Sequence, residues 1–162
     1  MRRVLCLLGL LLLAANVQAV TATTPITLQP LTVDSLRTLQ DRFSGARHAV
    51  IYWSLTCVPC RDELAELGKI IEADRLPISL VNTDTPSQIE KVRSFLARHH
   101  LGGMDNWQFA DAIPERLRQA IDEDWYGELP RSYAIDRQDR RVSHSGKTDI
   151  DRLVHWLTAK GS

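Results

Sequence analysis

Cysteine is scarce in this chain of 162 residues: there are three, Cys6, Cys57 and Cys60. Cys57 and Cys60 have no second cysteine pair beside them, so cysteine alone cannot complete a four-ligand zinc site. Net charge is lacking as well. Twenty Lys and Arg balance 20 Asp and Glu, which gives no electrostatic reason for a nucleic-acid or anionic-membrane partner. There is no internal repeat and no low-complexity block. The long apolar run, Val4 to Ala15, falls short of the about 20 residues that a membrane-spanning helix needs. What remains is 44% apolar and 25% charged, the composition of one soluble globular domain.

The N-terminus follows a different rule from the rest. Arg2 and Arg3 give a basic start, the uncharged run follows, and Val17-Gln18-Ala19 is a small-residue cleavage pattern. That is the three-part layout of a secretory signal peptide over residues 1–19, with the domain proper at 20–162. An uncleaved N-terminal anchor is the second reading. Cys6 precedes most of the apolar run, which argues against lipidation there. Cleavage leaves Cys57 and Cys60 as the remaining cysteines, in a chain bound for an oxidising compartment, the periplasm. A bridge between them closes a tiny loop and is a poor staple. A redox role explains the pair better.

Hydrophobic periodicity organises the mature chain. Leu36, Leu39 and Phe43 share one face of a helix expected over Asp34 to Phe43. Ala49 to Trp53 is a continuous apolar run of strand length, the pattern of a strand buried on both sides. A helix follows from about Val58, with Leu64, Leu67, Ile70 and Ile71 as its stripe. Ile78 to Val81 is a second buried strand. Thr85, Pro86 and Gln88 spell a capping box at the start of a helix lined by Ile89, Val92 and Leu96. A short strand is expected over Trp107 to Ala110, then a helix from Pro114 to about Gly127. Arg131 to Ile135 and Arg141 to His144 read as a hairpin around a polar turn. Thr148 is placed to cap a last helix carrying Ile150, Leu153, Val154 and Leu157. The expectation is an α/β fold with a central mixed sheet flanked by helices.

Cys57-Val58-Pro59-Cys60 sits between a buried strand and a helix, and that position has a chemical logic. The strand end delivers Cys57 to the helix N-terminus, where unpaired N–H groups and the helix dipole stabilise a thiolate. The thiolate is the nucleophile, so a lower pKa raises reactivity at neutral pH. Cys60, one turn on, is close enough to resolve a mixed disulfide. Pro59 fits the first helical turn, where a missing N–H costs little. A zinc half-site would need two more ligands, and His99-His100 lack the spacing. The five histidines are scattered and take no catalytic role. Trp53, Trp107, Trp125 and Trp156 are read as packing residues.

The segment Tyr52-Trp53-Ser54-Leu55-Thr56-Cys57-Val58-Pro59-Cys60-Arg61-Asp62-Glu63-Leu64 resembles the active-site segment of the TlpA/ResA-like branch of the thioredoxin superfamily. Glu128-Leu129-Pro130-Arg131-Ser132-Tyr133-Ala134-Ile135-Asp136 resembles that branch's later loop and strand. The resemblance covers about residues 30–160. It implies a thioredoxin-like fold with an inserted helix–strand unit. It also implies exported thiol–disulfide oxidoreductases, often reductases serving cytochrome c maturation or other envelope proteins.

Carried over by resemblance, Cys57 is the nucleophile, Cys60 the resolving thiol and Pro130 a cis-proline facing them. Glu63 takes the acidic position three residues after the second cysteine, where it would oppose the helix dipole and accept a proton during exchange. The expected partners are protein disulfides or dithiols and an envelope electron donor, with no cofactor and no metal. Two departures stand out. Thr56 replaces the usual tryptophan before the first cysteine, and Ile51 occupies the position of thioredoxin's buried acid. Val58-Pro59 lacks the histidine that helps make DsbA a strong oxidant, so a potential nearer about −270 mV than about −120 mV is expected. The alternative function is a copper carrier that uses Cys57, Cys60 and a histidine such as His144.

Overall fold

A computed structural model describes residues 25–70 and 76–159. The signal-peptide reading of 1–19, Cys6 and the expected stripe position Ile71 lie outside the described residues. The elements run β1 (Gln29–Leu31), α1 (Leu36–Gln40), β2 (His48–Trp53), α2 (Val58–Ile70), β3 (Ile78–Asn82), α3 (Ile89–Arg98), β4 (Asp105–Phe109), α4 (Pro114–Ile121), β5 (Arg131–Ile135), β6 (Arg141–Ser145) and α5 (Ile150–Thr158). They form one six-stranded sheet in the order β1-β4-β3-β2-β5-β6. β1, β4, β3 and β2 pair in parallel, and β5 and β6 join antiparallel. This is the expected mixed sheet. The expected extra helix–strand unit is α3 and β4, and β4 sits between β3 and β1.

β2 is buried along its whole length, and alternation divides its side chains between two cores. Ala49, Ile51 and Trp53 pack with α2, α3 and α5 through Leu64, Leu67, Val92, Leu96, Ile150 and Leu153. Val50 and Tyr52 face the other side, where Leu36, Leu39, Leu117, Trp107, Phe109 and Tyr133 close a second core. A strand buried on both faces needs apolar residues at every position, which is why this segment reads as a run rather than an alternation. Trp53, Trp107 and Trp125 are buried, and Trp156 packs at the edge of the first core under Arg47.

Several boundaries shift for local reasons. β1 carries no sequence pattern; it is three residues long and holds Pro30, which an edge strand tolerates. The capping box at Thr85 does not form. Pro86–Gln88 make a 3-10 turn, Gln88 N–H bonds Thr85 C=O, and the Thr85 side chain pairs with Ser87 instead. α3 ends at Arg98, and His100 two residues on has a left-handed φ of 58°. Leu101 N–H bonds Leu96 C=O and His100 N–H bonds Ala97 C=O, closing the helix as a Schellman motif around a non-glycine residue. α4 stops at Ile121, well before Gly127. Asp149, not Thr148, caps α5, accepting from Arg152 N–H at 3.0 Å.

Gly68 lets α2 approach the end of α3. A Cβ there would lie 2.0 Å from the His99 carbonyl oxygen, so a larger residue would push the helices apart. Among the described residues, no helix is long and apolar enough to cross a membrane.

Candidate active site

β2 ends at Trp53, and the chain turns through Ser54, Leu55 and Thr56 before entering α2 at Val58. Cys57 is therefore the residue that caps α2. Its carbonyl accepts the first helical bond from Arg61 N–H at 3.1 Å, and its Sγ accepts from Cys60 N–H at 3.2 Å. A thiolate at Cys57 would receive the same N–H, which is the local reason the sulfur is stabilised there. Pro59 occupies the first turn, as expected.

Cys57 and Cys60 are joined in a disulfide, with Cα atoms 5.3 Å apart. Cys57 is half-buried and Cys60 is 1% exposed. An incoming sulfur can therefore reach Cys57, while Cys60 is shielded by the core it joins. Val58 beside them is 55% exposed.

Glu63 lies on the buried side of α2 with Cys60 and Leu64, and it is 0% exposed. Neither carboxylate oxygen has a hydrogen-bond partner among the described residues. Burial pushes the Glu63 carboxyl from the ordinary 4.5 up to about 7, and proximity to Thr148 and the Lys147 cation only partly opposes this. Lys147 is itself tied to Glu66 on α2 at 2.7 Å, and Thr148 Oγ1 pairs with Ser132 Oγ at 3.0 Å. The loop from β6 to α5 thus covers the helix face that carries Glu63. Ile51, the position of thioredoxin's buried acid, is part of the core.

Pro130 immediately precedes β5, and the Leu129–Pro130 peptide bond is cis. The register pairs Tyr52 with Arg131, so Pro130 lies beside the end of β2 from which the cysteine turn departs. Pro130 C=O accepts from Gly146 N–H at 2.9 Å. Arg131, directly after it, is 8% exposed and reaches four partners. It bonds Asp122 at 2.7 Å, Ser145 at 2.7 Å, Tyr133 Oη at 3.1 Å and Glu128 at 3.2 Å. Trp125 Nε1 adds a bond to Glu128 C=O at 2.9 Å. The loop that leads into Pro130 is thus fixed from both ends.

No protein-family model and no curated protein matches this chain. Solved structures do match. One is a secreted disulfide oxidoreductase of Mycobacterium tuberculosis, described as homologous to E. coli DsbE. It has a TM-score of 0.54 and 16% identity, over 72% of this chain and 83% of that one. Another is the thioredoxin domain of a thiol-disulfide oxidoreductase from Bacteroides vulgatus, with a TM-score of 0.55 and 14% identity, over 73% and 84%. The chain has a thioredoxin-like fold. A third thioredoxin-like match is a secreted thiol-disulfide isomerase of Corynebacterium glutamicum, with a TM-score of 0.53 and 18% identity, over 72% and 71%.

Within this thioredoxin-like fold the sequence pointed to Cys57, Cys60, Glu63 and Pro130: Cys60 and Glu63 lie on α2, Cys57 immediately precedes it, and Pro130 immediately precedes β5. His144 does not join them: it is on β6 with Nε2 3.3 Å from Lys147 C=O. Among the described residues no three His, Cys, Asp or Glu side chains come together as a metal site. The sequence reading missed Arg131, whose role depends on partners distant in sequence, and gave Thr148 a capping role that Asp149 takes.

Proposed function

We propose that the protein is an exported thiol–disulfide oxidoreductase that reduces disulfides in envelope proteins, with cytochrome c maturation as one such use. The observation that carries the reading is the Cys57–Cys60 pair at the N-terminus of α2, one sulfur reachable and the other buried. The basic start, apolar run and Ala19 support export, as do two structural neighbours described as secreted.

The reaction balances in two exchanges. The Cys57 thiolate attacks one sulfur of a substrate disulfide. That S–S bond breaks, a Cys57–substrate bond forms, and the other substrate sulfur leaves as a thiolate that takes a proton from solvent. Cys60 then loses its proton and attacks Cys57 Sγ. The Cys57–Cys60 bond forms and the second substrate thiol departs. The protein dithiol loses two electrons and the substrate gains them; an envelope dithiol donor restores the pair. Glu63, three residues beyond Cys60 on the same buried helix face, is the proposed acceptor of the Cys60 proton. A carboxyl near 7 can both take and return a proton at neutral pH. Pro130 is proposed to flank the incoming substrate.

The test is turnover of a model protein disulfide with dithiothreitol as donor. Wild type should accelerate reduction, Cys57→Ser should be inactive, and Cys60→Ser should accumulate mixed disulfides with envelope proteins on non-reducing gels. No acceleration by wild type and no trapped species would overturn the reading. A glutathione titration should place the pair nearer about −270 mV than about −120 mV; the opposite result would reverse the direction from reductase to oxidant.

A further inference from the structure

We propose that Asp84 is a positioning residue for Cys57, holding the Ser54–Thr56 turn so that the Cys57 sulfur meets the N-terminus of α2. This rests on the exchange reading above. Asp84 lies two residues past the end of β3, the strand that pairs with β2 up to Trp53 and Asn82. Its carboxylate accepts three hydrogen bonds: from Ser54 Oγ at 2.6 Å, from Leu55 N–H at 2.7 Å and from Asn82 Nδ2 at 3.0 Å.

The bond from Ser54 sets the direction of the next ones. The Ser54 hydroxyl proton points at Asp84, so its oxygen is free to accept. It accepts from Thr56 N–H at 3.1 Å and from the Thr56 hydroxyl at 2.9 Å. Cys57 N–H then bonds Ser54 C=O at 3.2 Å. Every backbone N–H from Leu55 to Cys57 is thereby satisfied by Asp84 or by Ser54, which Asp84 orients. Asp84 is itself held. Its N–H bonds Asn82 Oδ1 at 3.0 Å, and its carbonyl accepts from Gln108 Nε2 on β4. Thr83 N–H fastens the same loop to Trp53 C=O at 2.8 Å.

A loop on one strand therefore determines where the turn from its neighbour ends. Charge-assisted bonds to a carboxylate are the strong kind, and small displacements of a nucleophile cost rate steeply. Two effects of removing Asp84 have opposite signs on Cys57. Loss of a nearby negative charge alone would favour the thiolate and lower its pKa. Loss of position takes the sulfur off the Cys60 N–H and raises it.

The experiment compares wild type, Asp84→Asn and Asp84→Ala in three readouts. These are thermal melting, a thiolate-absorbance titration of Cys57, and kcat/KM for a model disulfide measured well below the melting transition. Positioning predicts that Asp84→Ala raises the Cys57 pKa and lowers kcat/KM by about tenfold or more. Asp84→Asn, which keeps an acceptor for Leu55 N–H, should recover part of both. A lower melting temperature with unchanged pKa and kcat/KM would overturn the proposal, as would a fall in the pKa. If wild type itself shows no turnover, the exchange reading fails, and the titration still decides whether Asp84 sets the environment of Cys57.

Discussion

Glu63 on α2 and Asp122 after α4 both carry a carboxyl group largely out of water, and their surroundings push it in opposite directions. Glu63 is buried on α2, where among the described residues neither oxygen has a well-formed hydrogen bond and the influence of Thr148 and Lys147 only partly offsets desolvation. Asp122 sits on the other side of the sheet. Burial raises its carboxyl too, but bonds from Tyr133 Oη at 2.8 Å and Arg131 at 2.7 Å outweigh this and hold it below the usual range. The same desolvation is thus compensated in one place and left standing in the other. The difference teaches where a proton can move at neutral pH. A fully partnered carboxylate stays charged and serves as structure, while a weakly partnered one is poised to change state.

The largest expected effect breaks the compensated side. Arg131→Leu removes the cation from Asp122 and Glu128, with Arg131 and Asp122 side chains only 10% and 11% exposed. Breaking a buried pair leaves a charge behind, so the loss should be about 4 kcal/mol in urea unfolding at pH 7. A loss under about 1 kcal/mol would mean that Asp122 does not depend on its partners as argued.

The next sharpens the uncompensated side. Below pH 4.5 the Glu63 proton is present in both folded and unfolded chains. Between 4.5 and about 7 the unfolded chain ionises while the native state keeps its proton, so stability falls as pH rises and then levels. The full drop is about 3 kcal/mol. Glu63→Gln should lack that slope and be the more stable protein at pH 8. Urea unfolding of the oxidised forms at several pH values reads it directly, and parallel curves for the two proteins would contradict it.

Asp105 offers a third carboxylate as a control, with its side chain 4% exposed. It accepts from Ser79 Oγ at 2.6 Å, Gln29 Nε2 and Trp107 Nε1 at 2.8 Å, and Arg42 Nε at 3.2 Å. Asp105→Asn turns one acceptor into a donor that faces other donors. It should cost about 2 kcal/mol in urea unfolding without altering turnover. The smallest effect concerns Lys147. Lys147→Gln removes an exposed ion pair and should leave the melting temperature nearly unchanged. It also removes a cation that lowers the Glu63 carboxyl, so the Glu63 slope should move to higher pH.

Much of the fold was legible because its signals are local. β2 and β3 are continuous apolar runs, α2 and α5 carry apolar stripes, and the β5–β6 hairpin turns at Asp136 and Asp139, the latter at φ 58°. β1 escaped because three residues around Pro30 hold no period. The capping signals at Thr85 and Thr148 misled, since each hydroxyl found another partner: Ser87 for one and Ser132 for the other. In the candidate site, Cys57 and Cys60 were legible from the strand–turn–helix context. Asp84 and Arg131 were not, because each acts on residues that only the sheet brings near.

The sequence by itself determined the order of strands and helices from α1 onward, the placement of the cysteine pair at a helix start, and the two-sided burial of β2. Those follow from periodicity and from the chemistry of neighbouring residues. Only the tertiary structure decided the depth of Glu63, the anchoring of the Ser54–Thr56 turn by Asp84, and the clamp of Arg131 on the loop before Pro130. The physical reason is common to all three. Desolvation and hydrogen-bond satisfaction depend on what surrounds a group from every side, and those partners come from strands and loops that chain neighbourhood does not reveal.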